Sequence, residues 1–277
     1  MKDSVEILNA TSSLNRDFWN EPCGSQMLRS MGLTDYSPAA IEKFDQAFFG
    51  YYPYLSEFIP HPALEGKDIL EVGLGMGSVA RYAASLSRTY VGVDIASGPV
   101  ELVINSVSPN AAAKAVCASV FELPFENAVF DVAISIGCLH HTGSVKKSVS
   151  ELARVLRKGG RLNIMIYNRY SARRLWRYPV ETLMSAFKNR TEENSSNTER
   201  QEYDSGSAGD AAPYTAFLSS GDIRKLLIES GFKNIKIQKR NMDSINSRGR
   251  ILLGRNVTRR LFESVLGLDL YITAIRV

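Results

Sequence analysis

Five short apolar runs separated by helical stretches fill the middle of the chain and constrain its fold more than any other feature. They are "DILEV" (68–72), "TYVGVD" (89–94), "AKAVCA" (113–118), "FDVAISI" (130–136) and "RLNIMIYN" (161–168). Between them the spacing predicts helices from about Gly77, near 98–107 and over 144–157, the last ending in "RKGGR". Near-continuous apolar strands alternating with helices suit a parallel sheet covered on both faces. Right-handed crossovers then make the sheet doubly wound.

The flanks are less regular. Residues 1–37, with "FWNEPCGS", show little periodicity and read as an irregular arm. Ser37 before Pro38 is a helix start, and Ile41, Phe44, Phe48, Tyr52 and Leu55 follow at helical spacing, broken at Pro53. After Asn168, "RYSARRLWRYPVETLMSAFKNR" reads as a basic amphipathic helix and "TEENSSNTERQEYDSGSAGDAA" as a mobile polar loop. "SSGDIRKLLIESGF" predicts a helix capped by Ser219 or Ser220 and ended by Gly231. "KNIKIQKR" and "LDLYITAIRV" supply two more strands around a helical insertion at about 251–266. The expected division is a helical arm over 1–64 and a sheet domain over 65–277, with insertions at 169–218 and 241–266.

With 277 residues, 44% hydrophobic and 22% charged, the chain has the composition of a soluble globular protein. No apolar run approaches the roughly 18 residues of a membrane span, and the first residues lack the apolar core of a signal peptide, so a cytoplasmic location is expected. Cys23, Cys117 and Cys138 are odd in number and not spaced as metal ligands, which argues against disulfides and structural zinc. Lys233, Lys236, Lys239, Arg240, Arg248, Arg250, Arg255, Arg259 and Arg260 crowd one stretch with Asp243 among them.

The first strand runs into "EVGLGMGS". Gly73, Gly75 and Gly77 follow G-x-G-x-G spacing, and Ser78 holds what would be the last glycine of the dinucleotide fingerprint. Glu71 stands where a carboxylate would repel pyrophosphate but attract a cation, and Asp94 ends the second strand, where an acid can accept both hydroxyls of a ribose. A ligand with an adenosine, no phosphate and a cationic end satisfies all three, which points to S-adenosylmethionine. A structural turn or a nicotinamide site is the competing reading.

Through "ILEVGLGMG", "VGVD", "ASVFELPFENAVFDVAISIGCLHHT" and "SELARVLRKGGRLNIMIYN", residues 65–168 closely resemble the class I S-adenosylmethionine-dependent methyltransferases, in particular the small-molecule type 11 group. "FLSSGDIRKLLIESGF" and "LGLDLYITA" extend the resemblance more weakly. It implies a Rossmann-like, seven-stranded sheet, mostly parallel with the last strand antiparallel. It also implies a cofactor site formed by Glu71, Gly73, Gly75, Gly77, Asp94, Ile95, Ser119, Val120 and Gly137. The family usually has an Asp where this chain has Ser119, which leaves the adenine amino contact to the serine or to the backbone of Val120.

Ligands of such sheets bind outside the carboxyl ends of the strands, where Gly137, Cys138, His140, His141, Tyr167 and Asn168 fall. A hydroxyl acceptor needs a base, and His141 or His140 is the candidate. Otherwise one histidine caps the helix near Ser144 and the other lines the cofactor. Tyr52, Tyr167, Asn168 and Trp176 are candidates for the acceptor pocket. Cys138 is read as a buried small hydrophobe, His61 as a surface residue, and Phe18 and Trp19 as residues that either close the pocket or pack. No metal is expected, because the carboxylates of the magnesium-binding relatives are missing beside the histidines.

The expected reaction is methyl transfer to a hydroxyl oxygen of a small, anionic or carrier-linked metabolite, with N-, S- or C-methylation and a nicotinamide-dependent oxidoreductase as alternatives. Neither a nucleic acid partner nor a membrane span is expected, and the chain is read as a monomer or homodimer.

Overall fold

The computed structural model describes residues 2–107, 112–187, 194–247 and 250–277. The N-terminal part carries α1 (Lys2–Phe18), α2 (Ser25–Ser30), α3 (Pro38–Tyr51), α4 (Leu55–Phe58) and α5 (His61–Leu64). Alternation follows: β1 (Asp68–Val72), α6 (Ser78–Leu86), β2 (Thr89–Asp94), α7 (Ser97–Ser106), β3 (Ala113–Cys117), β4 (Phe130–Ile136), α8 (Val145–Val155) and β5 (Leu156–Tyr167). The remainder comprises α9 (Ala172–Arg177), α10 (Pro179–Phe187), α11 (Asn197–Tyr203), α12 (Ser220–Glu229), β6 (Phe232–Arg240), β7 (Ile245–Ser247), β8 (Arg250–Leu253), α13 (Arg255–Leu266) and β9 (Asp269–Arg276).

The sheet has seven strands in the order β3-β2-β1-β4-β5-β9-β6. Strands β1 to β5 pair in parallel, whereas β9 runs antiparallel between β5 and β6. This is the expected doubly wound, Rossmann-like sheet. Alternate side chains of β1 enter opposite layers: Leu70 and Val72 belong to the buried cluster that holds Val149 and Leu152 of α8 and Leu227 of α12, while Ile69 belongs to the one that holds Ala80 and Ala83 of α6. Both faces are therefore covered, and β1 is buried at every position. The order reverses between β1 and β4, which opens a crevice at the carboxyl ends of these strands.

Three expectations about the flanks need correction. The N-terminal arm is helical over α1 and α2, not irregular. Among its described side chains, α1 fully buries a polar one, Asn15, whose amide donates to the His141 carbonyl at 2.6 Å, so no apolar stripe signalled the helix. The polar stretch taken as a loop contains α11, capped by Ser196, and Glu199 of that helix is buried against Arg174 of α9. The strand β5 starts at Leu156 and absorbs the glycines of "RKGG", with an irregular register against Phe130 and Val132.

Caps fall where turn chemistry puts them. Ser37 caps α3 through the Ala40 N–H, and Ser219 with Asp222 forms a reciprocal capping box on α12. The insertion at 241–266 opens with the β7–β8 hairpin and ends in α13. Of the basic stretch, Arg248 lies outside the described residues.

Candidate active site

A cavity of about 360 Å³ opens at the crevice. Its wall brings together Glu71, Gly73, Gly75, Gly77, Asp94, Ile95, Ser119, Val120, Gly137, His141, Tyr52 and Tyr167. His140, Asn168 and Trp176 do not line it.

The glycine loop turns because its residues are left-handed. Gly73, Gly75 and Gly77 have φ of 84°, 49° and 77°, values that strain any side chain. What replaces their missing Cβ atoms is protein: a Cβ on Gly73 would lie 2.3 Å from that of Cys138, and one on Gly75 3.1 Å from the Cys23 carbonyl. The glycines thus admit neighbouring chain segments, and their backbones form the cavity floor.

Asp94, at the end of β2, is fixed by the loop itself. Its Oδ2 accepts the Leu74 N–H at 2.8 Å and its Oδ1 the Ala96 N–H at 3.0 Å. Burial raises its pKa, against the lowering effect of these backbone bonds. Glu71 is buried in the last turn of β1 and accepts the Tyr90 hydroxyl at 2.6 Å. Its pKa is pushed up to about 8, mainly by burial and further by Asp94, while Tyr90 and Arg81 pull the other way. A ligand cation beside it would reverse that effect. Ser119 accepts the Phe121 N–H with its hydroxyl at 3.2 Å, so the side chain standing in for the family's Asp stabilises its own turn.

At the other strand ends, His141 sits on a short 3-10 turn (Leu139–His141) after β4. Its Nδ1 lies 2.8 Å from the Tyr214 carbonyl and 3.2 Å from the Thr215 hydroxyl. The carbonyl can only accept, so Nδ1 carries the proton and Nε2 keeps the lone pair. The Nε2 lies 3.5 Å from Oδ2 of Asp204, a carboxylate that follows α11 and also lines the cavity. The Tyr167 hydroxyl reaches both Asp204 oxygens at 3.0 Å. Burial raises the pKa of Asp204, while His141 and the Tyr167 hydrogen bond favour its charge. The Trp19 ring lies 4.9 Å from that of His141 and closes the wall on that side.

His140 packs against this cluster but does not reach the cavity wall. It is fully buried, neither ring nitrogen has a hydrogen-bond partner among the described residues, and its ring lies 4.1 Å from His141 and 4.0 Å from Tyr167. Burial lowers its pKa well below the usual imidazole value, so it acts as a neutral aromatic slab. Neither histidine caps α8, because Ser144 does so through the Lys147 N–H. Asn168 is a clamp: its amide donates to the Gly267 carbonyl at 2.7 Å and its oxygen accepts the Tyr170 N–H. Trp176 projects from α9 and is 87% exposed.

Asp204 and Tyr203 escaped the sequence reading. Both belong to the polar stretch taken as a loop, where the sole signal is an aromatic–acid pair within a hydrophilic run. The cavity wall carries Glu71, Asp94 and Asp204, and no Lys or Arg among the described residues. Such a wall fits a ligand with hydroxyls and a cationic end and opposes a pyrophosphate.

The sheet order is that of the class I S-adenosylmethionine-dependent methyltransferase fold, which the solved structures named below share. Residues 70–164 match the family model described as a methyltransferase domain. An O-methyltransferase of Aspergillus nomiae is 33% identical over 106 residues, which cover 37% of this chain and 47% of that protein. A fatty-acid O-methyltransferase of Mycolicibacterium smegmatis is 34% identical over 99 residues, covering 35% of this chain and 36% of that protein. The chain thus spans less than half the length of these curated relatives. Among solved structures, a putative methyltransferase of Haloferax volcanii in complex with the activator Trm112 superposes with a TM-score of 0.61 at 13% identity, over 88% of this chain and 99% of that one. A putative S-adenosylmethionine-dependent methyltransferase of Listeria monocytogenes gives 0.58 at 15% identity, over 82% of this chain and 97% of that one.

Proposed function

We propose that the protein transfers a methyl group from S-adenosylmethionine to a hydroxyl oxygen of a small-molecule acceptor, with His141 as the base. The observation that carries this reading is the His141–Asp204–Tyr167 cluster on the wall of the cavity that also holds Asp94 and the glycine loop. The names of relatives from Aspergillus nomiae and Mycolicibacterium smegmatis as O-methyltransferases support the choice of oxygen.

The cofactor supplies a methyl carbon activated by a sulfonium. Asp94 would hold the ribose hydroxyls, Ile95, Ser119 and Val120 the adenine side, and the buried Glu71 the cationic end. Methyl transfer is an in-line displacement, so alignment of the acceptor is a large part of the catalysis. The aromatic walls Tyr52, Trp19 and Tyr203 would shape the acceptor and exclude water. His141 Nε2 would take the acceptor's proton, and the imidazolium so formed would face Asp204, whose charge compensates it. Among the described residues this wall offers no cationic side chain to an anionic or carrier-linked acceptor.

The acidic wall also suits an amine acceptor, which would need no strong base. Release of S-adenosylhomocysteine across a panel of hydroxyl and amine acceptors, with a pH–rate profile of wild type and His141→Ala, separates the two. An O-methyl acceptor with a rate unchanged in His141→Ala would end the base assignment. Thermal stabilisation by NAD and none by S-adenosylhomocysteine would end the methyltransferase reading itself.

A further inference from the structure

The helix α13 is built inside out. Its stripe of Val257, Leu261 and Val265, at i, i+4 and i+8, is 45%, 58% and 62% exposed. The opposite, inward face carries Arg255, Thr258, Arg259 and Glu263. Most of those polar groups find partners from within, the Nε of Arg255 being the exception among the described residues. Arg255 lies 3.6 Å over the Tyr51 ring and donates to the Tyr51 carbonyl, Thr258 donates to the Asp243 carbonyl, and Glu263 accepts from Arg259 and from the Asn241 N–H. The helix is therefore held by its charged side, and its apolar side is left uncovered. Phe262 on the same helix and Ile251 of β8 are also exposed.

Cations border the stripe. Arg260 is exposed on α13, the Lys239 ammonium donates to the Val265 carbonyl at 2.8 Å, and Lys236 is exposed on β6, the edge strand against which α13 packs. An apolar centre with a basic border is the pattern of a helix that lies in the surface of an anionic bilayer. A second copy of this chain fits poorly, because a two-fold contact would set the basic border against itself. Nucleic acid fits poorly as well, because phosphates would meet aliphatic side chains at the centre.

We infer that α13, with Lys236, Lys239 and Arg260 around it, docks the protein on an anionic lipid surface. The inward face of the same helix reaches the cavity wall: Arg255 also stands 6.0 Å from the Tyr52 ring, and Tyr52 lines the cavity. The inference is independent of the methyl acceptor, and its readout needs no turnover.

The test is co-sedimentation of the full chain with vesicles of phosphatidylcholine alone or mixed with phosphatidylglycerol. The expected result is binding to the mixed vesicles, weakened about tenfold or more by Leu261→Asp with Val265→Asp, since each buried aliphatic side chain contributes strongly to such partitioning. Arg260→Glu with Lys236→Glu should weaken binding to the mixed vesicles and leave the weak binding to phosphatidylcholine unchanged. No sedimentation with mixed vesicles, or sedimentation equal in the aspartate variant, would overturn the inference. So would a concentration-dependent dimer by analytical ultracentrifugation that Leu261→Asp dissociates, or tight binding to an RNA oligonucleotide that Leu261→Asp leaves intact.

Discussion

His141 owes its tautomer to a backbone carbonyl. Because the Tyr214 oxygen holds the proton on Nδ1, the other nitrogen is the one available to an acceptor. Replacing His141 by Ala should lower kcat by about 10²- to 10⁴-fold on a hydroxyl acceptor. Its affinity for S-adenosylhomocysteine, measured by calorimetry, should stay within twofold or so of wild type, since this ring is assigned to the acceptor. Asp204→Asn keeps the shape and removes the compensating charge, so it should lower kcat and shift the pH–rate profile, with less effect on cofactor binding. Glu71 makes the complementary case. Its carboxyl holds a proton up to about pH 8 in the empty cavity, because burial disfavours its charge. A cation selects the ionised form, so binding of S-adenosylmethionine should release a proton and tighten as pH rises towards that value. Glu71→Gln should bind more weakly and show a flat profile. A wild-type affinity that does not change with pH would remove Glu71 from the cationic end.

Among elements, α11 is tied to α9 by a buried pair, with the Arg177–Glu202 pair and the packing of Tyr203 on Tyr167 and Phe217 beside it. Arg174 of α9 and Glu199 of α11 are both almost wholly inaccessible, and Arg174 also lies 4.3 Å over the Phe217 ring. Removing one partner strands a buried charge, a loss of about 3 to 5 kcal/mol where such pairs have been broken. Arg174→Ala should therefore release α11, seen as faster proteolytic cutting between residues 194 and 211, and lower activity through loss of Asp204. Cofactor binding, which we assign to the β1 and β2 ends, should persist. This element also shows why the sequence misled. A run as polar as "TEENSSNTERQEY" ordinarily cannot order itself, and Arg174, which buries its glutamate, lies 25 residues earlier. By contrast β1 to β5 were legible because each carries its own apolar signal, and the glycine loop because its spacing states a backbone requirement. The capping serines Ser37 and Ser219 were legible for the same local reason. His141 could be placed at the strand ends, but its separation from His140 could not, since neighbouring residues of a 3-10 turn point to different sides.

At the scale of the whole molecule, buried carboxyls set the response to pH. In the unfolded chain Glu71 and Asp269 ionise near 4.5 and 3.8, whereas in the folded protein burial, the largest influence on both, holds their protons up to about 8 and about 7. The native state thus binds more protons across that interval, and its stability should fall as pH rises through it. Melting temperatures of the cofactor-free protein should decline from mildly acidic to mildly alkaline pH, and Glu71→Gln should flatten part of the decline. A stability that rises across the interval would contradict the burial of these groups.

The cavity wall joins several sources: the sheet supplies the floor with Asp94 and Glu71, α2 and α3 supply Met27, Phe44 and Phe48, and two outer segments complete it, α1 and its exit with Asn15 and Trp19 and the segment after α11 with Asp204. The two outer sources touch the sheet through replaceable side-chain contacts such as Asn15 to the His141 carbonyl. Under the proposed reaction, variation confined to residues 12–19, with His141 and Asp204 kept, is expected to redirect the choice of acceptor, so that engineering new selectivity here becomes a problem of grafting one short segment.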